Sequence, residues 1–278
     1  MQPPAVGETH STNVTFTQRD FDEFARLSGD NNPIHVDPEF SARTAFGRTV
    51  AHGMALFGVL DAATSQWLGA PMGAVSQELM FTAPTFTDEP VAIDLAVMAA
   101  SDNGFEVAQR MTRPDGLQTC VGAVTRGDLS GAAAGDGPSP APESGESFRG
   151  LEVGVTAEMA RRYTAADIAA YLGLIDDPDP TYRGQDAVVP PPLLGGLISC
   201  LLGVELPGPG TNWLKQRYRF HHPVVAGELV TGRVEITRLR PDKALVNLRT
   251  ECVTPRGMAV TGEALVLVAD LVPPPTRS

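Results

Sequence analysis

A chain of 278 residues with 42% hydrophobic and 19% charged side chains is long enough for two ordinary domains, and its balance is that of a globular protein. A formal charge of −12 repels a phosphate backbone and argues against general nucleic-acid binding. The most apolar stretches, Met54 to Leu60 and Leu193 to Leu202, fall short of the roughly 20 residues a spanning helix needs, and Met1 to Glu8 lacks the basic and apolar regions of a secretory leader. The three cysteines, Cys120, Cys200 and Cys252, have no metal-ligand spacing and cannot all pair. A cytoplasmic location with no membrane contact is expected.

In chain order, the first signal is Phe16-Thr17-Gln18-Arg19-Asp20 followed by Phe21 and Phe24. Thr17 can cap a helix while Asp20 reaches back to the cap, and the phenylalanines give it one buried face. The next segment is Ser28-Gly29-Asp30-Asn31-Asn32-Pro33-Ile34-His35-Val36-Asp37. Gly29 ends the helix, and Pro33 stiffens a loop that carries a carboxylate and an imidazole five positions apart. Such a pair can share one water, take its proton and supply one nearby. Asp30 and His35 are expected on a polar loop outside the core. The alternative is that Asp30, Asn31 and Asn32 only make turn hydrogen bonds and His35 packs at a strand edge. Ala51-His52-Gly53-Met54 then opens a long apolar helix, Gly53 to Leu68, whose first N–H groups have no partner within the helix. At Gly53 a carbonyl could approach the backbone, and the helix dipole favours negative charge there. His52 either caps this helix or orients a ligand. Alternating strand follows from Val91 onward, with a hairpin turn at Met111 to Gly116. The run GDLSGAAAGDGPSPAPESGESFRG reads as a linker. It divides the chain into residues 1–126, a linker at 127–150 and residues 151–278.

The second segment repeats the first. Tyr163-Thr164-Ala165-Ala166-Asp167 with Ile168 and Tyr171 matches the capped helix 147 positions on. Phe220-His221-His222-Pro223 matches Phe81-Thr82-Ala83-Pro84 at an offset of 139, and Cys252 to Gly257 matches Met111 to Gly116 at 141. Each copy reads as a capped helix, a polar loop, a long apolar helix and a run of antiparallel strands. The second long helix is expected at about Leu193 to Leu202. Being apolar nearly all round, each long helix must be enclosed, most simply by a sheet. The offset of 147 sets Asp177, Asp179, Pro180 and Tyr182 opposite Asp30, Asn32, Pro33 and His35. The offset of 139 sets Pro191 opposite His52 and Pro192 opposite Gly53. Tyrosine does not replace imidazole as a base near neutral pH, and proline has no N–H, so one active site per chain is expected. Asp176, Asp177 and Asp179 read as solvated surface.

The run SGDNNPIHVDPEFSARTAFGRTVAHGMAL resembles the signature of the MaoC-like, R-specific enoyl-CoA hydratases, also called type 2 hydratases. The resemblance implies an α+β double hot-dog fold, each half an antiparallel sheet wrapped around a long central helix. It implies hydration of a 2-enoyl thioester, or dehydration of an (R)-3-hydroxyacyl thioester, carried on coenzyme A or a carrier protein. Asp30, His35 and the Gly53 amide match catalytic positions, and Asn32, His52 and Met54 are expected around the substrate. No cofactor and no metal are implied. The two copies form an internal pseudo-dimer, which leaves a further homodimer open. Arg43, Arg48, Arg217 and Arg219 could meet coenzyme A phosphates. The second copy is eight residues shorter where the first has Phe40 to Arg48, which is expected to open room for a long acyl chain. A hot-dog thioesterase, or an accessory subunit of another hydratase, are the alternative functions.

Overall fold

The computed structural model describes residues 4–69, 73–129 and 147–268. In the first copy, strand β1 (Thr9–Thr15) leads into α1 (Gln18–Ser28), two short helices α2 (Pro33–Val36) and α3 (Pro38–Ala42), and the long α4 (Gly53–Leu68). Strands β2 (Ala74–Phe81), β3 (Pro90–Ser101), β4 (Gly104–Thr112) and β5 (Gln118–Gly127) follow. The second copy gives β6 (Thr156–Arg162), α5 (Ala165–Ile175), a 3-10 turn at Pro180–Tyr182, and α6 (Pro191–Cys200), which runs on as a π turn over Leu201–Glu205. It ends with β7 (Thr211–Phe220), β8 (Leu229–Arg240), β9 (Leu245–Thr254) and β10 (Gly257–Val268). Residues 130–146 of the expected linker lie outside the described residues.

Local chemistry sets these elements as the sequence leads one to expect. Thr17 and Asp20 form a reciprocal capping box, with Thr17 N–H donating to Asp20 at 2.7 Å, and Thr164 and Asp167 repeat it at 2.9 Å. Gly29 terminates α1 in the left-handed region, at φ 84°. Among the described residues ten strands form one antiparallel sheet in the order β1-β3-β4-β5-β2-β7-β10-β9-β8-β6. The second half of that order is the first reflected, with β2 and β7 meeting at the centre from Ser76↔Arg219 to Met80↔Lys215. The sheet therefore carries a pseudo-two-fold axis, and the copies form an internal pseudo-dimer. Helices α4 and α6 pack on each other inside its curve, and one hydrophobic core runs through both halves. This is the expected α+β architecture. Among the described residues no helix is long and apolar enough to cross a membrane, and the three cysteines are free and buried.

The sequence pattern differs from the structure in three places. Strands β1 and β6, the two edges of the sheet, precede the capped helices. Helix α6 begins two residues before Leu193, because proline is tolerated in a first turn, where N–H groups lack partners anyway. The long helices also align at an offset of 138, not 139. Ala51 N–H donates to Thr85 O and Val189 N–H to Val224 O, each at 2.8 Å. A Cβ on Gly58 would meet Tyr171 and Ile175, and one on Gly196 would meet Phe24 and Ser28, which are matching positions of α5 and α1. Pro190 thus stands opposite His52 and Pro191 opposite Gly53. The absence of an N–H at the second helix start is unaffected, since residues 190–192 are all proline.

Candidate active site

The loop after α1 is held from several sides. Asp30 N–H donates to Ser28 Oγ at 3.1 Å, Asn32 caps α2 by accepting from Ile34 N–H at 3.4 Å, and Ser41 Oγ donates to Ile34 O at 3.1 Å. Gln18, at the start of α1, donates to His35 O at 2.9 Å and accepts from Thr49 Oγ1 at 2.7 Å. The effect is to bury both chemical groups. Asp30 is 2% and His35 8% exposed, so they are part of the packed interior and not outside the core as expected.

The Asp30 carboxylate accepts from Asn32 N–H at 3.3 Å and, through its other oxygen, from Ser199 Oγ at 2.5 Å. Ser199 lies on α6, so the second copy completes the environment of the first copy's carboxylate. Burial opposes ionisation of Asp30, but the neighbouring imidazoles and these two hydrogen bonds hold its pKa below the usual carboxylate range. Burial also lowers His35, against the pull of the Asp30 charge. His35 Nδ1 lies 2.7 Å from Val50 O. A carbonyl can only accept, so Nδ1 carries the proton and Nε2 keeps its lone pair. Near neutral pH the loop thus presents an anionic carboxylate and a neutral imidazole with a free lone pair.

Both groups line a cavity of about 190 Å³ that also takes in Asn32, Gly53, Phe81, Ser199 and Trp213. Gly53 is the first residue of α4, where the backbone N–H has no acceptor within the helix. A Cβ there would stand 2.8 Å from the Phe81 ring. Asp30, Asn32, His35 and Gly53 therefore come together as expected. His52 packs behind them, against His35 and the Asp30 backbone, but neither it nor Met54 lines the cavity, and both are 0% exposed. Met54 instead meets the Tyr218 hydroxyl of β7 at 3.7 Å and lies against Gly195 of α6, because a helix residue one position on from the cavity-facing Gly53 turns into the core. His52 makes no side-chain cap.

Ser199 was not legible in the sequence, yet a signal existed. At the true offset of 138 it pairs with Asp61 of α4, and both are polar residues inside apolar helices. The pseudo-two-fold axis sends each to the opposite loop. Asp61 faces the second copy's loop, where the Tyr182 hydroxyl approaches it at 3.5 Å and the buried Arg126 guanidinium forms an ion pair with it. Arg126 also donates to Ser65 Oγ at 3.0 Å. Asp177 and Asp179 are 2% and 4% exposed, so they are not solvated surface, and Asp179 caps the 3-10 turn as Asn32 caps α2. The first copy's extra residues form α3 and a turn that brings Phe46 to the cavity. The matching gap in the second copy falls next to Tyr182 and makes no room beside Asp30. Of the arginines expected to offer positive charge, Arg48 is engaged by Glu89 at 2.8 Å and by the Phe86 ring, and Arg217 by Glu78 at 2.9 Å.

The second loop yields a stability prediction. Burial and the nearby Asp61 raise the Asp177 pKa from 3.8 to about 6. The folded state then holds that proton more tightly than the unfolded chain, so Asp177 ionisation costs stability as pH rises from about 4 to 6. Asp177→Asn keeps an oxygen to accept from Asp179 N–H, 2.9 Å away. Its Tm relative to the parent should climb across that pH range and stay higher above it. A variant less stable than the parent at pH 7 would contradict this account.

Asp30, His35 and His52 place ligand-type atoms within 4.8 Å of one another. The two imidazoles stack nearly parallel, at an interplanar angle of 28°, so their in-plane lone pairs run side by side and do not converge on one ion. One nitrogen of each ring also faces a backbone carbonyl.

Residues 3–115 match the family model described as MaoC like domain. The chain is 42% identical over 130 residues to an (R)-specific enoyl-CoA hydratase of Aeromonas caviae, covering 97% of that protein and 43% of this one. It is 30% identical to a 3-hydroxybutyryl-CoA dehydratase of Methylorubrum extorquens, over 83% of that protein and 44% of this one. Over the whole chain, a conserved hypothetical protein of Mycobacterium tuberculosis with a double hot-dog fold superimposes with a TM-score of 0.75. The alignment covers 95% of this chain and 96% of that one at 13% identity, and shows the fold alone.

Proposed function

Since the chain belongs to the MaoC-like domain family, we propose that it adds water to a 2-enoyl thioester, or removes it from the (R)-3-hydroxyacyl thioester, in the cavity over Asp30 and His35. The observation that carries this reading is the meeting of an anionic carboxylate and a neutral imidazole under the open N–H of Gly53. The thioester carbonyl oxygen accepts from Gly53 N–H, where the start of α4 favours the negative charge that develops as water attacks. A water held by Asp30 and by His35 Nε2 gives its oxygen to C3, and its proton passes to the pair. The pair returns a proton to C2 as the enolate collapses. Water is consumed and the residues end as they began. Dehydration retraces the same steps.

Only the first copy carries this machinery, because the second has Tyr182 for His35 and Pro191 for Gly53. The catalytic unit is residues 1–126 and the partner unit is residues 151–278. The acyl group arrives on coenzyme A or a carrier protein, and the charge of −12 leaves nucleic acid out of the reading. A cytoplasmic setting and the possibility of further homodimers belong to the same proposal.

Crotonyl-CoA with the purified protein tests the reading. Hydration removes the enoyl absorbance and releases no thiol. Thiol release would mean hydrolysis, and no change across a series of acyl lengths would mean an accessory protein. Ser199→Ala removes a hydrogen bond to a charged group, which is worth roughly 1.5–3 kcal/mol. We expect kcat to fall about 10- to 100-fold and the Asp30 pKa to rise. An unchanged kcat would remove Ser199 from the site.

A further inference from the structure

His52 takes no part in the steps above, yet it touches both groups that do. It is fully buried. Its Nε2 lies 2.9 Å from the backbone oxygen of Asp30, and since a carbonyl only accepts, that nitrogen carries the proton. Its ring stacks on His35 with centroids 3.8 Å apart, while Phe24 packs at 5.1 Å. His35 is fixed in the opposite sense, with its proton on Nδ1 toward Val50 O. Each imidazole is therefore set in one tautomer by one backbone carbonyl, and the two press face to face.

This arrangement has two physical consequences. The stack covers a face of His35 and excludes water there, leaving its Nε2 edge toward the cavity. The His52 N–H also ties down the main chain of Asp30, whose carboxylate has to share a water with that edge. A phenylalanine could give the stack but not the tie, and an amide side chain could give the tie but not the stack.

We propose that His52 is a positioning residue, one imidazole that fixes the backbone of Asp30 and the ring of His35 relative to each other so that both aim at one water. This rests on the hydratase reading. The titratable groups facing the two rings are Asp30 and each other. Helix α1 presents Phe24 to His52, and α6 presents Ser199 to Asp30 and the Cys200 thiol to Gly29 O at 3.2 Å. That thiol is pushed up to about 11 by burial, then by Asp30, and stays neutral. Burial lowers His52 to about 3, with His35 adding to the effect, so neither ring is charged at neutral pH.

The test has one arm that needs no turnover. In the full-length protein labelled with 15N-histidine, NMR between pH 5 and 8 should show His35 protonated on Nδ1 and His52 on Nε2, with His52 not titrating. A His52 that titrates in this range, or a His35 with its proton on Nε2, overturns the proposal even if no variant folds. The second arm is kinetic, with enoyl-CoA as substrate. His52→Phe should lower kcat at least about tenfold with the acid limb of the pH profile in place. His52→Gln should move that limb up by about one pH unit, because water reaches His35 and eases its protonation. Loss of Tm alone, with parental kcat in the first variant and an unmoved limb in the second, would reduce His52 to a structural residue. If no enoyl-CoA turns over, the hydratase reading fails, and NMR of His52→Gln still decides: His35 must titrate at higher pH than in the parent, and an unmoved titration overturns the proposal.

Discussion

Asp30→Asn should lower kcat by about 10²–10⁴-fold, the range for removing a positioned acid or base, and leave the protein folded with a Tm at or a few degrees below the parent's. The amide fills the same space and its oxygen can accept from Asn32 N–H or Ser199, but it has no charge with which to draw a proton from water. Because the fold holds the Asp30 pKa below the usual carboxylate range, the charged form adds stability above that pKa, and the neutral amide gives this part up. His35→Gln should lose activity to a similar degree. Replacing this half-stacked, buried ring by alanine would confound the result with a cavity. Both variants are read as the initial rate of enoyl absorbance loss at saturating thioester. A His35→Gln enzyme within a few-fold of the parent would rule out imidazole as the base and leave Asp30 to act alone.

Arg126→Met should be among the most destabilising single changes in this chain, at about 3–5 kcal/mol, because it leaves Asp61 as a buried charge with its cation gone. Arg126 and Asp61 are each 1% exposed, so water cannot take over. The double variant Asp61→Leu/Arg126→Met should recover most of that loss, since an apolar pair of similar volume is often as stable as a buried ion pair. Urea midpoints for the two single variants and the double close the thermodynamic cycle. Equal stability of Arg126→Met and the parent would mean the pair is solvated. The kcat of any variant that stays folded should remain near parental, since this pair serves the loop of Asp177 and Tyr182.

Much of the fold could be read from residues whose preferences are local. Thr17 with Asp20 and Thr164 with Asp167 dictate their own caps, and Gly29 its own helix end. Strands β1 and β6 escaped because few apolar residues mark them: Val14 in the first, and Ala157 and Met159 in the second, pack against the core. At the two edges of the sheet, Thr9–Thr15 and Thr156–Arg162 alternate only between exposed and half-buried positions, so the apolar contrast that carries the period-2 signal is weak. The chemical loop was legible for the same reason as the caps, since Asp30, Asn32, Pro33 and His35 lie within six positions. Ser199 is 169 residues from Asp30, and only the packing of α6 on α1 brings them together. The burial of Asp177 and Asp179 was equally hidden. An acidic string looks solvated until the guanidinium of Arg126, contributed by β5 of the other copy, enters the account.

Asp61 also bears on the ancestry of the chain. In an assembly of two identical subunits, every substitution is made twice, once at each site, so neither site can decay alone. Joining the copies in one chain removes that constraint, and the difference between Ser199 and Asp61 records its removal. If two first copies were paired about the same axis, each Asp61 would take the place of Ser199 against the other's Asp30, setting two carboxylates against each other away from water. Like charges so placed cannot both stay ionised. Two first copies so paired would hold one of the two carboxylates protonated at each site, whereas the Ser199 hydroxyl leaves Asp30 free to carry its charge.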